Sequence, residues 1–225
     1  MLAACVAVTA VFATLSAGPG KPGSLDLVLD PRFRAWQARF PAVVHGLPEL
    51  GTLIPVALMT LALVLACGAT RRWSGAILAA VAEPVAVGLT EYVLKPSIGQ
   101  PMWWGTAHSY PSGHATCMFS LAAICAVLLL APPRRPGPGV IRWLPVFIAL
   151  LLAAAVAAAM VAIGAHTFTG AVWGAAVGAG VVMACALALD LVAEGLRGGR
   201  RPARRGERPA VDHDDDMAAM RADTG

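Results

Sequence analysis

Tyr110-Pro-Ser-Gly-His114 leads directly into an apolar run, Ala-Thr-Cys-Met-Phe-Ser-Leu-Ala-Ala-Ile-Cys-Ala-Val-Leu-Leu-Leu-Ala131. Proline is favoured at the start of a helix, where unpaired N–H groups attract an anion, and an apolar helix of this length crosses most of a bilayer about 30 Å thick. Ser112 adds a hydroxyl donor, and His114 exchanges a proton at about pH 7. The segment therefore predicts a membrane helix with an anion-binding start. Alternatively, Ser112 only caps the helix and His114 only reaches towards water.

The composition assigns most of the chain to a lipid environment. Hydrophobic residues make up 58% of its 225 residues and charged residues 13%, with mean hydropathy +0.70, whereas soluble domains carry about 25% charged residues. Backbone groups in lipid must pair within their own segment, so the membrane-crossing runs are helices. The other apolar runs are Met1–Ala17, Leu53–Thr70, Gly75–Leu94, Val140–Ala165 and Gly170–Leu189. The sequence predicts an all-α fold, a bundle of six transmembrane helices.

The basic residues predict the orientation of this bundle. Twelve of the 17 lie after even-numbered runs, just before or at the start of the fifth run, or in the C-terminal tail, and the positive-inside rule places them in the cytoplasm. We therefore expect an integral protein of a bacterial-type plasma membrane with both termini in the cytoplasm. Residues 18–50, residues 95–114 and the turn around His166 then face outside. The net charge of +4 comes mainly from the tail, which indicates lipid headgroups and not nucleic acid as a partner.

The chain divides into a membrane domain, residues 1–195, and a cytoplasmic tail, residues 196–225, whose basic and acidic composition predicts disorder. Residues 18–50 interleave apolar with charged side chains and are expected to form one or two amphipathic helices on the outer leaflet.

The first apolar run has no basic residue before it, which favours a true first helix over a secretory signal. The five cysteines lie inside apolar runs without paired spacing and are expected to be small buried side chains.

Further polar residues gather at the outer ends of two other runs. Ionisable groups in membrane spans are costly, so they indicate function. Glu91 and Lys95 end the third run, and His166, followed by Thr167 and Thr169, ends the fifth. Together with the start of the fourth run, three segments that are distant in sequence converge at one membrane depth. In the alternative interpretation, Glu91 and Lys95 form a plain ion pair and His166 is an interfacial histidine without a role.

Taken together, these residues resemble the phosphatidic acid phosphatase type 2 family, which shares its site with the vanadium haloperoxidases and carries the motifs K-x6-R-P, P-S-G-H and S-R-x5-H-x3-D. The resemblance extends from about residue 25 to residue 190. It implies that His166 is the nucleophile, forming a phosphohistidine, and that His114 is the general acid. It also implies that Lys95, Ser112 and the Gly113 amide hold the phosphoryl oxygens. By the same resemblance the substrate is a phospholipid or an isoprenoid phosphate, and neither a metal nor another cofactor is needed.

Three positions depart from these motifs. Met102 and Met160 stand where the family has arginines, and Gly170 stands where it has the aspartate that orients the nucleophile. A hydrogen bond to a charged group contributes about 1.5–3 kcal/mol, so two missing arginines would cost roughly two to four powers of ten in rate. Gly170 also begins a ladder with Gly174 and Gly178, a spacing that lets membrane helices pack closely.

The expected function is that of a metal-independent membrane phosphatase acting on a lipid phosphate or prenyl pyrophosphate at the outer face. The alternative is a catalytically impaired family member that binds a lipid headgroup or a partner protein in the same cleft without turnover. A third class, a small transporter or scaffold, is compatible with the intramembrane Glu83, although no inverted repeat supports it. One hypothesis restores the missing charge: Arg32, Arg34 and Arg39, from the first external segment, fold over the site.

Overall fold

Helices make up every secondary structure element in the part of the chain that the structure describes. The structure is a computed structural model, and it describes residues 23–98, 110–130 and 139–198. The α-helices are α1 (Ser24–Arg39), α2 (Pro41–Gly46), α3 (Leu53–Ala69), α4 (Trp73–Gly88), α5 (Lys95–Ile98), α6 (Gly113–Leu130), α7 (Gly139–Ala162) and α8 (Phe168–Gly198). A 3-10 turn, Leu47–Gly51, joins α2 to α3, and a π-helical turn, Leu89–Leu94, joins α4 to α5. The predicted all-α fold is confirmed.

Several predictions fall on residues outside these ranges. They concern the first span Met1–Ala17, the position Met102 and the disordered tail. The described residues up to 190 belong to one unit, and of a second unit, which begins at residue 191, only the end of α8 is described. The division of the chain into a membrane domain and a tail at residues 195 and 196 therefore stays a prediction.

The described helices include four that are long and apolar enough to cross a membrane. They cover Trp73–Ile98, Gly113–Leu130, Arg142–Ala162 and Phe168–Leu196. A fifth crossing results if the segment Pro41–Gly51 counts with α3, from which it is bent by 58°. By itself α3 has 17 residues, a rise of about 26 Å, which falls short of a bilayer core about 30 Å thick. The chain is a membrane protein, but the predicted count of six spans is not confirmed in the described residues.

The glycine ladder brings the backbone of α8 directly against α6. A Cβ atom added to Gly174 would collide with the carbonyl oxygen of Ser112, and one added to Gly178 would collide with that of Thr116. One turn earlier, the Gly170 carbonyl accepts a hydrogen bond from the Ser112 N–H at 3.1 Å. The glycines therefore let the last helix pack against the helix that begins with Ser112-Gly-His.

This packing predicts opposite effects for two glycine-to-alanine substitutions. Gly178→Ala would force a methyl group onto the backbone of α6, which cannot move away as a flexible side chain could. Overpacking of this kind costs about 1–3 kcal/mol, so we expect a lower free energy of unfolding in detergent. Gly88 has open space within 4 Å of its Cβ position, so Gly88→Ala should leave stability unchanged or raise it by up to about 1 kcal/mol. Equal unfolding curves for the two variants would contradict the packing.

Helix α1 buries its carboxylates and exposes apolar side chains. Asp26 and Asp30 are 1% and 7% exposed, whereas Leu25 and Val28 are each 55% exposed and Trp36 is 50% exposed. An outward apolar surface is stable where it meets lipid, and its Trp suits a membrane interface. The segment predicted to be amphipathic thus contains α1 and α2, with Asp26 and Asp30 turned towards the rest of the protein, and its position on the outer leaflet stays a prediction.

Candidate active site

Ser112 lies fully buried at the start of α6. Its side-chain Oγ accepts a long hydrogen bond, 3.4 Å, from the Ala115 N–H, so the serine caps this helix as the simpler interpretation expects. Its own N–H is bound to the Gly170 carbonyl on α8. The first residues of the predicted phosphate-binding segment are therefore fixed by two separate elements.

Lys95 lies beside Gly113, with Glu91 between the two. The Lys95 ammonium donates to both carboxylate oxygens of Glu91, at 2.6 and 2.7 Å. A Cβ atom added to Gly113 would collide with a Glu91 carboxylate oxygen and lie 3.5 Å from Lys95 Nζ. Glu91 is part of the π-helical turn within the span Trp73–Ile98, a local irregularity often found at functional sites. The ion pair that the spacing allowed is thus present, and it offsets the charge of the predicted phosphate-binding lysine.

His114 is half-buried in the first turn of α6. Its ring packs on the backbone of Gly51, because a Cβ atom at position 51 would come within 2.8 Å of His114 Cδ2. Gly51 ends the 3-10 turn before α3 and is itself buried. The turn therefore makes room for the imidazole, a role for Gly51 that no sequence pattern indicates.

His166 lies in the turn between α7 and α8. The helix ends at Ala162, and the chain reverses through Gly164, whose φ of +75° is a left-handed conformation that favours glycine. The N–H groups of Ala165 and His166 then both donate to the carbonyl of Met160, at 3.0 and 3.2 Å. These contacts fix the backbone of His166, and its half-buried side chain lies at the junction of the two helices.

Asp26 binds this turn to the segment before α6. Its carboxylate accepts the Tyr110 hydroxyl at 3.0 Å, the Thr169 N–H at 2.8 Å and the Thr169 hydroxyl at 2.7 Å. The Thr167 hydroxyl donates to Tyr110 Oη at 2.6 Å. Burial raises the pKa of Tyr110 to about 12, so its hydroxyl stays protonated and donates to Asp26. One buried carboxylate thus connects α1, the Tyr-Pro-Ser-Gly-His segment and the residues after His166.

Asp30, which like Asp26 lies on α1, caps the N-terminus of α8. Its Oδ1 accepts the Phe168 N–H, the first N–H of α8, at 3.0 Å. A carboxylate at this helix end is favourable because the unpaired N–H groups and the helix dipole are positive there. Burial raises the pKa of Asp30, while the Phe168 N–H and the charge of Arg34 partly counteract that rise.

Residues 90–191 match the family model described as PAP2 superfamily. This segment is a PAP2 superfamily domain. The matched range contains all five residues that the sequence singles out, Lys95, Ser112, Gly113, His114 and His166. Neither a curated protein nor a solved structure matches the chain. The resemblance read from the motifs is confirmed, and the chain is a membrane protein with a domain of a phosphatase-type superfamily.

The structure brings the three PAP2 segments together through neighbours of the predicted residues. Lys95 approaches Gly113, Ser112 is bound to Gly170, and the residues after His166 are joined to Tyr110. Position 160 carries a buried methionine, 5% exposed, where the PAP2 motif has an arginine. Gly170 lies against the start of α6, so the position of the missing aspartate is used for packing.

Sequence reasoning missed the two carboxylates that organise the site. Asp26 and Asp30 lie before the matched PAP2 range and outside every motif. A signal was present: Asp26, Asp30 and Arg34 are spaced four residues apart, which places all three on one face of a helix. That spacing predicts a common partner surface, but it cannot name the residues on the other side.

Proposed function

We propose that this protein is a metal-independent phosphatase that hydrolyses a lipid phosphate or prenyl pyrophosphate through a phosphohistidine at His166. The observation that carries the proposal is the buried Asp26 network. It holds the backbone next to His166 against the segment that contains His114. Two histidines on separate elements, one a nucleophile and one a proton donor, are the groups that such a two-step transfer requires.

In the first step a ring nitrogen of His166 attacks phosphorus, and an N–P bond forms as the P–O bond to the leaving group breaks. His114 gives its proton to the departing oxygen, so that an alcohol or a phosphate leaves. Lys95, Ser112 and the Gly113 amide hold the phosphoryl oxygens. In the second step a water molecule gives a proton back to His114 and attacks phosphorus, which releases phosphate and restores both histidines.

An apolar cavity favours a lipid over a soluble substrate. It has a volume of about 350 Å³ and is lined by ten apolar side chains, including Phe33 and Phe168. Phe168 lies two residues after His166, so a hydrocarbon chain in this cavity would have its polar end near the histidine. Apolar side chains that line a cavity supply binding energy to a hydrocarbon without any specific polar contact. A phospholipid and an isoprenoid phosphate both meet this requirement.

The orientation follows from the basic residues. We place the site at the outer face of a bacterial-type plasma membrane, with both termini and the tail, residues 196–225, in the cytoplasm. The arginines of the tail would then contact anionic headgroups of the inner leaflet. The membrane domain, residues 1–195, would present the apolar side of α1 to the outer leaflet.

A second candidate function is binding of a lipid headgroup without turnover. The ion pair between Glu91 and Lys95 favours it, because the paired ammonium stabilises a transferring phosphoryl group less than a free one would. The buried methionine at position 160 adds to this argument. A measurement of phosphate release distinguishes the two candidate functions, because only the phosphatase releases phosphate.

We expect detergent-purified protein to release phosphate from a short-chain phosphatidic acid or an isoprenyl pyrophosphate, with a chelator present throughout. His114→Gln should lower this rate by about 10²–10⁴, because the leaving oxygen then has no proton donor. Glutamine is chosen because it fills most of the space against Gly51. His45→Gln is the matched control, since His45 is exposed and lies on α2 outside the site. Equal release by all three proteins would indicate a contaminating phosphatase, and the binding function would then be favoured.

A further inference from the structure

Arg34 lies against the turn that precedes His166. The position that a Cβ atom would take on Gly164 is 3.7 Å from Arg34 Nη2, 3.8 Å from Cζ and 3.8 Å from Nε. Three atoms of one guanidinium at nearly equal distances mean that its flat face, and not its edge, is turned towards the glycine. The N–H donors of a guanidinium lie in its plane, so this orientation leaves them available.

These donors have no partner among the residues described. In the ranges 23–98, 110–130 and 139–198, Arg34 forms neither a hydrogen bond nor an ion pair, although Asp30 is near enough for the charge of Arg34 to oppose the rise of its pKa. Arg34 is exposed, so solvent or a ligand can reach it. A guanidinium with free in-plane donors is the side chain best suited to bind two phosphate oxygens at once.

The position of Arg34 is set by the two carboxylates on the same face of α1. Asp26 and Asp30 are bound to Thr169 and Phe168, the first residues of α8. Arg34 follows Asp30 by four residues, so it continues this face by one more turn, towards the end of α7. Rotation of α1 would break these hydrogen bonds, and the helix face that carries Arg34 is therefore held towards the residues that lead to His166.

A negatively charged phosphoryl group at this site needs a nearby cation that is not already paired. Both carboxylate oxygens of Glu91 are bound to Lys95, which offsets the positive charge of the lysine. Position 160 is a buried methionine. The turn also follows the C-terminus of α7, where the helix dipole is negative and disfavours an anion. A phosphoryl group bound at His166 therefore needs a cation from another element.

We propose that Arg34 of α1 is a further residue that binds the phosphoryl oxygens next to His166, in place of arginines that the PAP2 motifs carry on other helices. This inference rests on the proposed function and names one residue of the three arginines in the first external segment. Arg39 ends α1 and is exposed, and no contact joins it to the turn at Gly164 within the described residues. A purely structural role predicts something different: Arg34 would only stabilise the end of α7.

The test compares four forms of the full chain in detergent: unaltered protein, Arg34→Gln, Arg34→Lys and Arg39→Gln. Calorimetric titration gives the affinity for inorganic phosphate, thermal unfolding gives stability, and the assay with a short-chain phosphatidic acid gives kcat/KM. We expect Arg34→Gln to weaken phosphate binding by about ten- to a hundredfold and kcat/KM by at least as much. Arg34→Lys should be intermediate, because an ammonium keeps the charge but not the two-pronged geometry. Arg39→Gln should match the unaltered protein.

Unchanged phosphate affinity in Arg34→Gln overturns the inference, whether or not its unfolding temperature falls. If that variant does not fold, Arg34→Lys decides in the same way, and an affinity equal to that of the unaltered protein overturns it. His114-dependent phosphate release that survives Arg34→Gln refutes the inference alone and leaves the proposed function intact. Phosphate binding that depends on Arg34, without any release of phosphate, supports the inference and refutes the proposed function.

Discussion

Replacing His166 with alanine is expected to reduce phosphate release to the background rate, a loss of about 10³-fold or more. The imidazole is the group that forms the bond to phosphorus, and removal of a nucleophile eliminates the covalent route altogether. The surroundings should survive the change, because the turn is fixed by the main-chain N–H groups of Ala165 and His166 bound to the Met160 carbonyl. The rate is measured with a short-chain phosphatidic acid in detergent.

Two controls make this result specific. His45→Ala removes an exposed histidine outside the site and should release phosphate at the rate of the unaltered protein. His166→Ala should still bind inorganic phosphate, since Arg34, Ser112 and the Gly113 amide are unchanged. Phosphate release by His166→Ala at more than a tenth of the original rate would exclude His166 as the nucleophile.

Replacing Asp26 with alanine is expected to lower the free energy of unfolding by about 3 kcal/mol or more and to abolish phosphate release. The change removes the acceptor of three donors, the buried hydroxyl of Tyr110 and the partly buried hydroxyl and N–H of Thr169. Each unsatisfied buried group costs about 1–3 kcal/mol. The substitution also removes the link through α1 between the segment before α6 and the residues after His166, so that only the direct hydrogen bonds, such as that of Thr167 to Tyr110, still join them. Chemical or thermal unfolding in detergent measures the first effect.

Asp190→Ala is the matched control for this prediction. Asp190 is an exposed aspartate on α8, so its removal should change stability by no more than about 0.5 kcal/mol. Asp26→Asn keeps one carbonyl oxygen as an acceptor and should lie between the two. Unfolding curves for Asp26→Ala that coincide with those of Asp190→Ala would show that the buried network contributes nothing to stability.

The sequence predicted those features that depend on local pattern. Long apolar runs predicted helices, and the run beginning at Ala115 agrees closely with α6, Gly113–Leu130. The four-residue spacing of Glu91 and Lys95 allowed their ion pair as the alternative interpretation, and the glycine ladder predicted the close approach of α8. The count of six spans is not confirmed in the described residues, where α3 is short and is bent away from the helical segment before it.

The organisation of the site could not be predicted from pattern. The hydrogen bonds of Asp26 to Tyr110 and Thr169 join residues separated by 84 and 143 positions in the sequence. The periodicity of apolar residues does not indicate contacts between residues so far apart. The π-helical turn that contains Glu91 could not be predicted either, because its amino-acid composition is that of an ordinary α-helix. Three arginines were candidates to replace the missing charge because their segment is expected on the same side of the membrane as the site. Only the folded structure distinguishes Arg34 among them.

The covalent intermediate tests the account most directly. A lipid phosphate labelled on its phosphoryl group is mixed with the purified protein, and the reaction is stopped in alkali, in which phosphohistidine is stable. Mass spectrometry of the digested chain then locates the label. The account predicts labelled phosphate on His166, gained and lost at the rate of turnover and missing from His166→Ala. Turnover with no label on His166, or with the label on another residue, would contradict it.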